Sequence, residues 1–223
     1  MGIEAVGNFT GLGFRLALEM LASLLLGMCL REYVRARAIV SVGDPTPRLW
    51  GRVSWEPKTW FDPFGSGVLP GLIAILWAAG TLLIPAAYAK PAPMDPGRLR
   101  RPVRDTLVVS LAGPAATLAV GIAAGLVVRV TGLSGEFGRF VLTLCFTSMS
   151  LTVFHLLPIP GLDGARMVAL ALPPDAARVY REGDKYLPLL VLVILFLFSS
   201  LALGILTSIT GALCTAASGV TCV

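Results

Sequence analysis

Three short clusters hold the residue types that could do chemistry. The first is Arg31-Glu32-Tyr33-Val34-Arg35, where two guanidiniums stand four residues apart, hence on one helical face, with a carboxylate between them. The second is Leu157-Pro158-Ile159-Pro160-Gly161-Leu162-Asp163-Gly164, with His155 just before it, and the third is Ala112-Gly113-Pro114-Ala115-Ala116-Thr117. Polar groups in or beside apolar runs are costly, which makes these clusters the first places to look for function. His155, Asp163, Glu32 and Cys29 are the groups a metal site could draw on. Against that, a guanidinium stays protonated and has no lone pair to donate, two of them repel a dication, and His155 is the chain's single histidine.

The elements that must position these residues are membrane helices. The chain has 223 residues, 56% apolar and 14% charged, with a mean hydropathy of +0.81. Soluble domains run at roughly 45–50% apolar and about 25% charged, so an ordinary soluble domain and a disordered chain are both excluded. Apolar runs lie at about 12–30, 66–86, 106–130, 140–157 and 186–213, each near or above the length a bilayer core requires. They must be helical, because open backbone cannot be satisfied in lipid. The expected helices are about 12–38, 106–130, 140–157 and 186–213, in a single membrane domain spanning 1–223.

Charge sets the direction. Arg31, Arg35, Arg37, Arg48, Arg52 and Lys58 fall in 31–62; Lys90, Arg98, Arg100, Arg101 and Arg104 in 90–105; Arg166, Arg178, Arg181 and Lys185 in 163–185. These are 15 of the 18 basic residues, and the positive-inside rule places all three segments in the cytoplasm. Run 66–86 then joins two segments on one side. Pro70-Gly71, Gly80 and Pro85 let it turn within the membrane as a re-entrant pair, with a full crossing as the alternative. The N-terminus and C-terminus are expected outside.

Within 106–130, Gly113, Thr117, Gly121 and Gly125 recur every four residues and predict a close packing seam. Cys29 and Cys145 read as small core residues, while Cys214 and Cys222 bridge if the C-terminus faces an oxidising compartment. The N-terminus has no basic stretch suited to a cleavable signal, so residue 1 is taken as mature. No internal repeat suggests a solenoid or an inverted-repeat transporter.

Taken together, the three clusters resemble the site-2 protease family of intramembrane zinc metalloproteases, in its compact bacterial form. That family carries HExxH on one helix, AGPxxN on a second, and a stretch like NLLPIPPLDG closing a later one. The likeness extends to Gly43-Asp44-Pro45-Thr46, Gly51-Arg52-Val53, Asp62-Pro63-Phe64-Gly65 and Arg104-Asp105, and to Ala89-Lys90-Pro91-Ala92-Pro93, which resembles a short strand of the family, covering roughly residues 15 to 200. The resemblance implies an all-α polytopic membrane protein, a helical bundle with short strand or re-entrant segments, set in the plasma membrane. It also implies two His and the Asp of LDG on zinc, with the Glu of HExxH as general base.

The departures fall on the catalytic positions. Arg31 and Arg35 stand where the two His would be, Thr117 where AGPxxN has Asn, and His155 where NLLP has Asn; Glu32 and Asp163 are kept. The expectation is a pseudoprotease without zinc or any other cofactor, in which Glu32 is a vestigial base and Arg31, Arg35 and Asp163 are degenerate metal-site positions. Arg31 or Arg35 is expected to pair with Asp163, and Glu32 with another Arg, unless the arginines snorkel to the interface. Thr117, His155, Pro158, Pro160 and Gly164 are expected to line the remaining cavity. Partners would be membrane lipid and another membrane protein or its helix, with no nucleic acid. The alternatives are an active intramembrane metalloendopeptidase with a non-standard metal site and a small transporter or channel subunit.

Overall fold

The computed structural model describes residues 11–81, 83–132, 134–197 and 199–222. The outward N-terminus expected at residues 1–10 lies outside them. The described helices, in chain order, are α1 (Gly11–Ser41), α2 (Thr46–Leu49), α3 (Leu69–Ala78), α4 (Pro102–Thr131), α5 (Gly135–His155), α6 (Asp163–Ala171), α7 (Pro174–Glu182), α8 (Leu187–Leu197) and α9 (Ser199–Ser218). Three of them, α1, α4 and α5, are long and apolar enough to cross a membrane. With the composition, this makes the chain an all-α integral membrane protein.

The core forms where α1, α4 and α5 pack on one another, with α3 against α1 and α9 against α4 and α5. Met20, Leu24, Met28, Ile73, Trp77, Leu151 and Leu206 are buried in its main cluster. α1 has 31 residues and runs about 46 Å, longer than the roughly 30 Å core of a bilayer, so its Arg31–Arg35 stretch lies toward one end of the bundle.

The four-residue seam on α4 meets three different helices. A Cβ at Gly113 would lie 3.1 Å from Cγ of Arg31 on α1, and one at Gly121 3.0 Å from Sδ of Met149 on α5. At Gly125 the neighbour is α9 itself: a Cβ would stand 2.6 Å from Cβ of Ala217 and 3.0 Å from the backbone at Ala217 C and Ser218 N. Close approach of a neighbouring backbone therefore holds at Gly125, whereas at Gly113 and Gly121 the missing side chain makes room for a long one.

Segment 63–90 doubles back. A π-helical turn, Pro63–Val68, is started by the Asp62 carboxylate, which accepts from N of Phe64 and Gly65, and leads straight into α3. At Gly80 (φ 85°) the chain adopts a left-handed turn that a side chain would disfavour, and Thr81 N–H donates to Leu76 at 2.8 Å. The return is held beside the start: Tyr88 N–H donates to Gly65 at 3.0 Å, Lys90 N–H to Trp60 at 2.9 Å, and Ser66 Oγ to Tyr88 O at 2.8 Å. Residues 63–78 rise about 24 Å as helix. Both ends of the segment lie at the same level of the bundle.

The short strand expected near Ala89–Pro93 is absent, since no β-strand occurs among the described residues. The physical reason is visible in the pairing: this chain bonds to the irregular loop at Trp60 and to the helical turn at Gly65, and neither can extend a ladder.

The return limb is fastened to the end of α1 through Asp44, a fully buried carboxylate. It accepts from Thr46 N at 2.9 Å, Thr46 Oγ1 at 2.5 Å and Asp95 N at 2.6 Å. Burial pushes its carboxyl upward, but these hydrogen bonds and the charge of Arg98 outweigh it and leave the pKa below the ordinary value. A carboxylate depressed on folding stabilises above its unfolded pKa and ceases to as pH falls through its folded one. Asp44→Asn is therefore expected to lower the thermal unfolding temperature of detergent-purified protein at pH 7, at a cost of about 1–3 kcal/mol, and the gap to wild type should narrow below about pH 4.

Candidate functional site

Three helices bring the expected site residues together. α1 supplies Arg31, Glu32 and Arg35, α6 supplies Asp163 at its first turn, and α5 supplies His155 at its last. Arg31, Glu32, Arg35, Asp163 and His155 are each no more than 3% exposed. Their arrangement is set by local chemistry. The four-residue spacing turns Arg31 and Arg35 to one side, and the turn after α5 delivers Asp163 to that side. Gly164 is required there, because any Cβ would collide with the Leu156 and Leu157 carbonyls.

The Arg31 guanidinium bridges two carboxylates: one terminal nitrogen donates to Glu32 Oε1 and the other to Asp163 Oδ2. Nε of Arg35 stands 3.6 Å from Asp163 Oδ1. Among these four side chains, two cations and two anions share one buried spot and balance. The expected second arginine for Glu32 is not needed, because the planar fork of Arg31 serves both acids at once. Snorkelling to the interface does not occur at either position.

The rest of the expected lining divides. Thr117 on α4 is fully buried, its hydroxyl 2.8 Å from that of Thr152, and both hydroxyls reach Pro114 O. His155 contacts Leu151 O through Nδ1 at 2.9 Å; a carbonyl only accepts, so Nδ1 carries the hydrogen and Nε2 is left with its lone pair and no partner among the described residues. Pro158 and Pro160, in the turn after α5, each have a contact on the α7 side. Tyr180 of α7 donates to Pro158 O at 2.6 Å, and Pro160 packs against Gly183.

Three residues named in the sequence analysis have neighbours here that were not assigned to them. Gly113 was read as a helix contact, and it leaves the space that the Arg31 side chain fills. Arg166, three residues after Asp163 on α6, is a third cation within electrostatic reach of Arg35 and Asp163; that i, i+3 spacing was the available signal. Arg52 donates to Lys90 O at 2.5 Å and Pro91 O at 2.8 Å, and no local pattern marks a contact across 38 residues.

A zinc ion does not fit these side chains. Its ligands would have to come from lone pairs at positions 31 and 35, where guanidiniums offer only hydrogens, and Asp163 is already engaged on both oxygens. Among the described residues no group of three or more His, Cys, Asp or Glu converges in a way that could hold a metal. Cys29 lies half-buried, outside any such group.

Arg31→Leu leaves Glu32 without a partner and is expected to destabilise the detergent-purified chain by about 3–5 kcal/mol in thermal or denaturant unfolding. Arg31→Lys keeps the charge but loses the fork, and should fall between Leu and wild type in the same measurement.

Curated proteins similar to the chain include three from different species. It is 25% identical over 186 residues to "Putative zinc metalloprotease YwhC" of Bacillus subtilis (strain 168), covering 79% of each chain. It is 30% identical over 187 residues to "Putative zinc metalloprotease Rip2" of Mycobacterium tuberculosis (strain ATCC 25618 / H37Rv), covering 82% of this chain and 68% of that one. The protein of the same name from Mycolicibacterium smegmatis is 30% identical over 183 residues, or 79% of this chain and 66% of that one. No family model matches the chain, and no solved structure does.

Proposed function

Since the chain belongs to the site-2 protease family of zinc metalloproteases, we propose that it is a member without peptidase chemistry that acts by binding a segment of another membrane protein. One observation carries this reading: the Arg31 guanidinium, bonded to Glu32 and Asp163, occupies the two carboxylates that a hydrolytic site would use as base and ligand. A carboxylate held by a permanent cation is a weaker proton acceptor, and nothing in the cluster acidifies a water beside it.

What remains is suited to binding. The return limb spends alternate groups on the protein itself, through Tyr88 N and Lys90 N. The amides of Ala87 and Ala89, which alternate with them, have no hydrogen-bond partner among the described residues. Ala87 is buried in the core, so the group open to an extended client segment by edge addition is the partly exposed Ala89. Arg52 sets the limit of that edge, since it already covers the carbonyls of Lys90 and Pro91.

The proposed setting is the plasma membrane, with the basic segments cytoplasmic and 63–90 re-entrant from that side. Its support is independent of the charge count. A Cys214–Cys222 disulfide closes the end of α9, where Arg129 donates to Ala216 O at 3.1 Å. Arg129 and Arg104 are separated by roughly 38 Å of α4. The disulfide, which persists in oxidising compartments, is thus at the opposite end of α4 from its basic start.

Elemental analysis of the purified chain is expected to return far less than one zinc per protein. Arg31→His/Arg35→His, which rebuilds two imidazoles four residues apart beside Asp163, should gain close to one, and lose it again on Asp163→Asn. Stoichiometric zinc in the wild type, with peptide cleavage abolished by Glu32→Gln, would overturn the reading. For the setting, a membrane-impermeant maleimide should label Cys214 and Cys222 in intact cells only after reduction.

A further inference from the structure

The first turns of α4 carry a shallow groove of about 550 Å³ on their outer face, lined by Arg101, Pro102, Val103, Arg104, Leu107, Val108 and Leu111. We propose that this groove is a binding site for an anionic phospholipid, its phosphate held between Arg101 and Arg104 and an acyl chain lying along the apolar strip.

The charge arrangement selects the headgroup. Arg101 and Arg104 stand three apart at one end of the groove, both exposed, and neither has a carboxylate within ion-pairing distance among the described residues. The neighbouring acids are spoken for elsewhere. Asp105 is 7% exposed, turned inward to accept from Arg101 N at 2.7 Å, and Asp95 is paired with Arg98 at 3.1 Å. A net negative headgroup meets two free guanidiniums and no opposing acid, while a zwitterionic one also presents a cation to them.

The apolar strip selects the rest of the molecule. Val103, Leu107 and Leu111 recur every four residues on one face, are exposed by 62%, 37% and 46%, and continue from the arginines into the membrane-spanning part of α4. The strip is roughly 12 Å long, enough for the first half of an acyl chain. A soluble phosphate would use the arginines and leave this strip unoccupied, whereas a phospholipid uses both. Buried Val109 and Ser110 on the opposite face pack inward, so the groove is free to face lipid.

Native mass spectrometry of the full chain in detergent, titrated with dioleoyl phosphatidylglycerol or dioleoyl phosphatidylcholine, tests this. About tenfold preference for phosphatidylglycerol is expected, falling with added salt. Arg101→Gln/Arg104→Gln should abolish the preference without unfolding, because Asp105 caps the backbone of Arg101 and not its side chain. Arg48→Gln, a basic residue on α2, should leave it intact. Leu107→Asn/Leu111→Asn should weaken both lipids and keep their ratio. Equal binding of the two lipids, a preference that survives the arginine pair's removal, or displacement of the lipid by millimolar inorganic phosphate would each overturn the proposal.

Discussion

Two carboxylates buried beside each other need two units of positive charge, and most of what is distinctive in this protein follows from how that need is met. Glu32 and Asp163 are almost wholly removed from solvent, and Arg31 and Arg35 supply the compensation. A divalent metal carries the same total charge in one sphere that accepts lone pairs. Two guanidiniums carry it in planar groups that donate hydrogens. The electrostatic sum is preserved and the chemistry is not: a metal polarises water, whereas an arginine only neutralises the acid it touches.

The fold makes that exchange sterically possible. A guanidinium on its long stem needs more room than an imidazole, and the room comes from Gly113 on α4, where even one carbon would crowd Cγ and Nε of Arg31. Asp163 is delivered by a turn whose Gly164 lets two carbonyls pass at close range, and Tyr180 of α7 clasps the same turn from outside at Pro158. The cluster thus rests on contributions from α1, α4, α5 and α6. Loosening any of them exposes charge to an apolar interior, where it costs several kcal/mol.

Much of this was legible in the chain itself. The spacing of Arg31 and Arg35, the apolar runs and the LPIPGLDG turn are local patterns, and local patterns fix which face a side chain takes and where a helix must end. The glycine seam of α4 was legible as a seam, but its role at Gly113 was not, because the occupant comes from a helix more than 80 residues earlier. The single arginine serving both acids was missed for a similar reason: a sequence counts charges and does not show how many hydrogens each directs at a neighbour. The expected strand near Ala89 failed because its composition is compatible with extended chain, while a ladder requires a second extended segment that 60–66 does not provide. Arg52, reaching 38 residues ahead, is a tertiary contact with no local trace.

The Arg31–Asp163 bond also imposes an order in time. Its partners are 132 residues apart, so a ribosome adding about 5–20 residues per second makes the arginine roughly 7–26 seconds before the aspartate. During that interval the Arg31–Glu32–Arg35 cluster of α1 holds two cations against one acid, a surplus that favours keeping that end of the helix at the aqueous boundary. Completion of the turn before α6 removes the surplus, so biosynthesis itself times the moment at which the first helix can settle into its final seat.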